Sequence, residues 1–504
     1  MQNNTRRKFL RELGLTVGAL AARLGVPLDP RVSMTGTISP DGSIGPVAGV
    51  PTKIRAAQAA GFTTVVIPLA NRMGYPDGGD TAVDLVDWGR TIGMTVLPVA
   101  DLGDAFAAFT GRPIIPAAKD PYVRSASLRV AGRHTAATLL DRVDRRIAVL
   151  QGDGVTVDPA VLADRDVARG ELLAGDSETA YGRAVDLLGR VTRIEGTERV
   201  RGWIARDGLE GAKAALQGWI DVVAARSQQQ IAIYSDVAGL GLAQQVSMPA
   251  ALGWVTYADA VVRGQRGMVA TRTDPSELEL IGAIVGEQEA ALDALFPDAA
   301  TAIVAMSETP AVDPAVNVPF LAGYTDFLIA AGDANIGYVE AGGQELADML
   351  GPNDLSPLAR ASLALEADVH APAPANGDLA AEVARSADAL SYYIASASLV
   401  TSYQAFGMSG FGLGEDPTVG DEAAIVDASV EAAAGTVDAV AAVLQDRGID
   451  PGYSDWSASW GAAIAAELAG TPRAAAGAVL GLNELWYDAI TVLMLDAAAD
   501  EIGR

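Results

Sequence analysis

A chain of 504 residues, half of them hydrophobic, can bury several cores, yet none of its apolar runs reaches the roughly eighteen uncharged residues of a membrane helix. A net charge of −27 argues against a nucleic-acid partner, because phosphate binding needs a basic face. Cysteine is absent, which excludes disulfides, thiolate metal sites and cysteine nucleophiles, and the two histidines, His134 and His370, lie far apart without ligand spacing.

The charge is unevenly spread. Residues 1–115 hold eleven Lys/Arg and nine Asp/Glu, a net of +2, so residues 116–504 carry −29. Four lysines occur in the whole chain, Lys8, Lys53, Lys119 and Lys213, and arginine supplies the remaining cations. Dense carboxylates that keep a surface hydrated fit a halophilic, acidic protein, and in such a composition a lysine retained inside a motif is informative.

Arg6-Arg7-Lys8-Phe9-Leu10 followed by the apolar Leu13 to Ala22 has the form of a twin-arginine export signal, and a misassigned start is the rival reading. Val32 to Pro68 is the most structured stretch. It predicts a strand carrying Met34-Thr35-Gly36, a glycine-rich hairpin closing at Gly49, a helix from about Pro51 to Gly61, and a β-branched strand over Thr63 to Ile67. Lys53 falls in the first turn of that helix, where the partial positive charge of the N-terminus lowers a lysine's pKa and favours a general base.

Those residues resemble the second half of the proteolytic domain of Lon-type serine peptidases. The matching positions are Met34-Thr35-Gly36, Gly45-Pro46-Val47, Gly49, Lys53, Ala56-Ala57, Ala60-Gly61 and Ile67-Pro68. The resemblance implies a Ser-Lys dyad in which Lys53 is the general base and Thr35 supports it, with the two side chains within hydrogen-bonding reach. Ala48 departs from the family's paired glycines, and Thr37 resembles the stand-alone, ATPase-free archaeal relatives. The nucleophile expected about twenty-odd residues before M-T-G is missing: no serine precedes Ser33, and Glu12 or its neighbours take its place, ahead of the apolar Gly14 to Ala22 that resembles the family's following helix. Ser33, on the strand face of Thr35, is the nearest substitute.

Downstream, Ala82 to Arg90 predicts a helix, Thr95 to Val99 a strand, and Asp101 to Phe109 a helix capped by Asp101. The proteolytic-type domain then ends near Gly111. Residues 112–135, with three prolines, read as a linker, and from 136 onward the period is helical, as over Thr138 to Leu150, Glu178 to Val191, Gly211 to Arg226, Glu277 to Leu295, Ala380 to Gln404, Asp421 to Gln445 and Ala474 to Ala498. Breaks fall at Pro310 to Pro319, Gly351-Pro352 and Pro372 to Gly377. Asp141 to Arg146 reads as a solvated charged face, Trp456, Trp460 and Trp486 as core, and Gly407 to Gly414, near Tyr392, Tyr393, Tyr403, Phe406 and Phe411, as a helix-joining turn with a binding loop as the alternative.

The expected architecture is an α/β partial Lon-type domain at 10–111 behind a tail of residues 1–9, a linker over 112–135, and an acidic, mostly α-helical region at 136–504 divided near 305–320. The implied activity is ATP-independent serine endopeptidase chemistry on a peptide or protein substrate, with Lys53 and Thr35 in place, the nucleophilic serine absent and the chain as it stands inactive. The alternative is a non-catalytic docking or scaffold protein built on a degenerate domain. No metal, cofactor or ATP is expected, since G-x-x-x-x-G-K-[ST] does not occur. Oligomerisation is left open, and a cytoplasmic location is expected, with twin-arginine export or surface association as the alternatives.

Overall fold

The computed structural model describes residues 26–38, 42–45, 47, 49–76, 81–113, 122–306, 316–340, 357–371, 378–405, 422–468 and 474–502. The export-like segment, Glu12, the Gly14 to Ala22 stretch, Ala48, Gly351-Pro352 and Gly407 to Gly414 lie outside them. A small α/β region near the N-terminus precedes a helical body, and fourteen α-helices are seen among the described residues.

Three parallel strands, β1 (Val32–Met34), β4 (Thr64–Pro68) and β7 (Thr95–Val99), form a sheet in the order β1-β4-β7. Val32 pairs with Thr64 and Met34 with Val66, while Val65 pairs with Val96 and Ile67 with Pro98. The central strand is buried on both faces, which its run of Val-Val-Ile allows. On one face, α1 (Val50–Ala59) and α2 (Leu85–Thr91) pack Ile54 and Leu85 against Val65, Ile67 and Val96. On the other, α3 (Leu102–Thr110) packs Phe106 and Phe109 against Val32, Met34 and Val66. Asp101 caps α3 as expected, accepting from the amide of Asp104 at 2.8 Å.

Two short hairpins complete the region: β2 (Thr37–Ile38) with β3 (Ile44–Gly45), and β5 (Met73–Gly74) with β6 (Val83–Asp84). The second corrects the helix expected from Ala82. Asp84 is extended and caps α2 from outside, accepting from the amide of Val86 at 2.8 Å, so the helix starts at Leu85. Burial works against the Asp84 carboxylate, but the Val86 amide and the Arg72 guanidinium, 2.9 Å away, hold its pKa below the usual carboxylate range.

The helical body has its own cores. Its first helix, α4 (Ala126–Gly152), begins within the stretch read as a linker, because Ser125 caps it and Arg124 ahead of it is held between Glu178 and Asp455. After α5 (Pro159–Ala174) comes α6 (Ser177–Tyr234), bent where Gly208 adopts φ 69° and ψ −179°. Then follow α7 (Leu242–Val269), α8 (Pro275–Met306), α9 (Val318–Glu340), α10 (Pro357–Val369), α11 (Leu379–Ala405), α12 (Glu422–Asp446), α13 (Gly452–Leu468) and α14 (Ala474–Ile502). The helices α6 and α8 touch backbone to backbone. A Cβ on Gly196 would lie 2.1 Å from the Gly282 carbonyl oxygen, so no other residue fits there.

One core cluster draws residues from both sides of 305–320, including Tyr181, Ile303, Leu321, Tyr392 and Trp486. Trp456, Trp460 and Trp486 are buried as expected. The charged face at Asp141 to Arg146 is not simply solvated. Arg142 pairs with Asp298 on α8 at 2.9 Å, Arg146 with Glu195 on α6, and Asp141 with Arg169 on α5 at 2.6 Å, so helix-helix contacts use charges that periodicity assigned to water. Among the described residues no helix is long and apolar enough to cross a membrane.

Glu484 and Asp488, one turn apart on α14, are buried without a cationic partner among the described residues. Trp254 donates to Glu484 at 2.6 Å and Ser457 donates to its other oxygen. Burial nevertheless outweighs both bonds and pushes the Glu484 carboxyl up to about 7 from 4.5. The fold therefore binds this proton more tightly than the unfolded chain does. Its contribution is fully present below pH 4.5 and is lost as the pH rises through 7. Glu484→Gln is expected to remove roughly 3 kcal/mol of the stability difference between pH 4 and pH 8, at about 1.4 kcal/mol per pH interval. Urea unfolding midpoints of both proteins at the two pH values check this, and an unchanged pH dependence in the variant contradicts it.

Candidate active site

The M-T-G residues run off the end of β1. Beyond the ladder, the amide of Thr35 donates to the Val66 carbonyl at 3.0 Å, which keeps the chain against β4 for one more residue. Gly36 then passes under the β2-β3 hairpin. A Cβ there would sit 2.6 Å from Cγ2 of Ile44 and 3.3 Å from Cγ of Pro68, so the glycine is a requirement of space.

Side chains alternate along this stretch. Val32 and Met34 pack on the α3 face, and Gly36 follows them, so Ser33 and Thr35 belong to the opposite face, which α1 and α2 cover. Thr35 is 1% exposed, and its Oγ1 has no hydrogen-bond partner among the described residues. The contact expected between this hydroxyl and Lys53 is therefore not made. Leaving a buried hydroxyl unpaired costs about 1–3 kcal/mol.

Lys53 rides on α1, whose start is fixed by two residues. Gly49 is the N-cap in the left-handed region, at φ 66° and ψ 30°, and Pro51 occupies the first turn. The amide of Lys53 donates to the Gly49 carbonyl at 3.0 Å. Val50 and Ile54 face the core and Thr52 and Arg55 face out, leaving Lys53 half-buried on the flank, one turn ahead of Ala57. No acidic residue lies in the first turn of α1 to offset the helix dipole.

Asn71 escaped sequence reasoning. Its buried Oδ1 accepts from the Val47 amide at 2.7 Å, tying the chain ahead of α1 to the short 3-10 turn Leu69–Asn71 after β4. An asparagine just after a strand that ends in proline was the available signal. Farther along α1, Gln58 donates to the Ile92 carbonyl and Arg55 stacks over Trp88 at 5.1 Å, fixing α1 against α2.

The serines nearby are ill placed as nucleophiles. Ser33 sits inside β1 opposite Val65, so its backbone belongs to the sheet and not to a helix N-terminus where amides could hold an oxyanion. Ser43 is buried and bridges to Asp101, and Ser39 lies outside the described residues. His134 is exposed, and His370 is 3.0 Å from Asp333 at the surface. Among the described residues no three His, Cys, Asp or Glu side chains could hold a metal ion.

Because the Thr35 hydroxyl is unpaired, Thr35→Val keeps its shape while removing a buried polar atom. The variant is expected to stabilise the α/β region by about 1 kcal/mol. A thermal or denaturant melt that shows it clearly less stable than the parent would mean that the hydroxyl has a partner in solution.

Residues 13–78 match the family model of the Lon protease (S16) C-terminal proteolytic domain. The chain is similar to Lon protease of Mycolicibacterium smegmatis, 39% identical over 77 residues, which are 15% of this chain and 9% of that protein. It is similar to the Archaeal Lon protease of Archaeoglobus fulgidus, 41% identical over 59 residues (12% of this chain, 10% of the relative), and to Lon protease 2 of Bacillus subtilis, 38% identical over 60 residues (12% and 11%). The chain thus spans about a tenth of the length of the curated relatives it matches. No solved structure matches it significantly. The matched stretch takes in β1, the first hairpin, α1 and β4, which are the elements that carry Thr35 and Lys53.

Proposed function

We propose that the α/β region is the base-bearing half of a Lon-like serine peptidase site that works without ATP. The observation that supports this reading is the placement of Lys53 in the first turn of α1, together with a buried Thr35 hydroxyl without a hydrogen-bond partner among the described residues on the sheet face that α1 covers, inside a stretch similar to the Lon proteolytic domain. In this reading a serine hydroxyl attacks the scissile carbonyl and its proton passes to the neutral Lys53 amine. The lysine then protonates the leaving amine, and later takes a proton from the water that hydrolyses the acyl-enzyme. Thr35 supports the lysine once that proton arrives.

In this reading Ser33 is not the nucleophile, because its backbone is committed to the sheet. A serine carried on a further segment, entering beside β1, completes the site. The stand-alone archaeal type is the closer fit, since Thr37 follows M-T-G. The second reading, a docking module without catalysis, is favoured by the commitment of the Ser33 backbone to the sheet.

The two readings part on labelling by a fluorophosphonate probe. The 504-residue chain should stay unlabelled. A version extended with the upstream coding sequence should be labelled at the new serine, and Lys53→Ala in that version should lower peptide turnover by roughly 10²–10⁴-fold, the range for a general base. Stoichiometric labelling of Ser33 in the present chain contradicts the placement of the nucleophile, and an extended chain that Lys53→Ala leaves unchanged contradicts the role of Lys53.

A further inference from the structure

We infer that the cleft between α4, α6 and α8 in the helical body binds a carboxylate carried on an apolar stem. The cleft has a volume of about 410 Å³ and is lined by Arg142, Arg145, Arg146 and Val149 of α4, by Leu188 and Glu195 of α6, and by Asp293 and Ala294 of α8. That volume lies within the range of small-molecule sites. Three guanidinium groups in one cleft are unexpected in a region that carries −29 over residues 116–504.

Charge bookkeeping inside the cleft singles out one of them. Glu195 is paired with Arg146, and Asp293 with Arg226 at 2.5 Å. Arg142 is held by Asp298 at 2.9 Å. Arg145 is exposed and makes no ion pair or hydrogen bond among the described residues. Both acids of the lining are thus already paired, Glu195 within the cleft and Asp293 with Arg226 outside the lining, and the Arg145 guanidinium is left over.

The apolar part of the site follows from the same helices. Arg142, Arg145, Arg146 and Val149 fall at three- and four-residue spacing, on one face of α4. Leu188 and Ala294 are buried at the floor, while Val149 is 60% exposed at the rim. A planar guanidinium matches a carboxylate through two parallel N–H donors. A dianion would meet the carboxylates of Glu195 and Asp293 in the walls, which favours a single negative charge. Fatty acids and the C-termini of apolar peptides share this chemistry.

Titration calorimetry on the full chain tests the site with four probes: decanoate, decanol, a blocked trileucine with a free C-terminal carboxylate, and the same peptide amidated. Inorganic phosphate is the fifth, as the dianion control. At least one of the two acids should bind, its neutral counterpart should bind about fivefold more weakly or worse, and Arg145→Gln should reduce the acid's affinity by a similar factor. Whichever acid binds identifies the source of the carboxylate. Arg145 is exposed, so the substitution leaves the core intact, and Val149→Asp at the exposed rim supplies an independent variant that should repel the same ligand. Equal affinity for acid and neutral probe, unchanged binding in both variants, tighter binding of phosphate, or no binding of either acid at millimolar concentration would each overturn the inference.

Discussion

The α/β region depends on the way the chain leaves β1. The amide of Thr35 stays bonded to Val66, and Gly36 slips beneath Ile44 with no room for a side chain. Together these fix the phase of the alternation. Had the strand been displaced by one residue, Thr35 would face Phe106 and Phe109 and Met34 would face α1. With the phase as it is, an unpaired hydroxyl is buried on the same side of the sheet as the helix that carries Lys53. That helix starts where it does because Gly49 takes a left-handed conformation and because the chain ahead of it is tied by Val47 to Asn71. A sheet edge, a glycine under a hairpin and a capped helix thus converge on one small region.

Much of this was legible in the sequence. The strand, the hairpin, the helix with proline in its first turn, the stop at Gly61 and the following strand each have a local cause, so local signals were enough. The same is true of Asp101 as a cap. What was not legible depended on distant partners. Asp84 looked like part of a helix because its apolar neighbours have helical spacing, and its role as a cap shows only once Arg72 and Val86 are seen beside it. Asn71 has no periodic signature at all, since its value lies in an amide 24 positions earlier. The Thr35 hydroxyl was assigned to the lysine by resemblance, and the structure leaves it without a partner among the described residues instead.

The helical body shows the same division. Its helices announce themselves through alanine and leucine spacing, but which charges face water does not follow from one helix alone. Arg142 and Arg146 alternate with acids in a pattern typical of a solvated face, yet both reach across to acids on α8 and α6. Glu484 is the opposite case. A glutamate late in the chain gives no hint that it will be enclosed by Trp254 and Ser457 with no cationic partner among the described residues. The strongly negative composition predicts a hydrated surface, and says nothing about which carboxylates end up inside.

The central claim is that Lys53 is placed to work as a base. The scarcity of lysine makes it directly measurable, because Lys8, Lys53, Lys119 and Lys213 give four side-chain signals in a chain labelled with isotopic lysine. Following the Cε resonances with pH, and assigning Lys53 by its loss in Lys53→Arg, reads the protonation of this amine alone. The account predicts that Lys53 gives up its proton at a clearly lower pH than a free lysine side chain, as expected for an amine in a helix's first turn that itself holds no acidic residue. A Lys53 that titrates like a free lysine would contradict it.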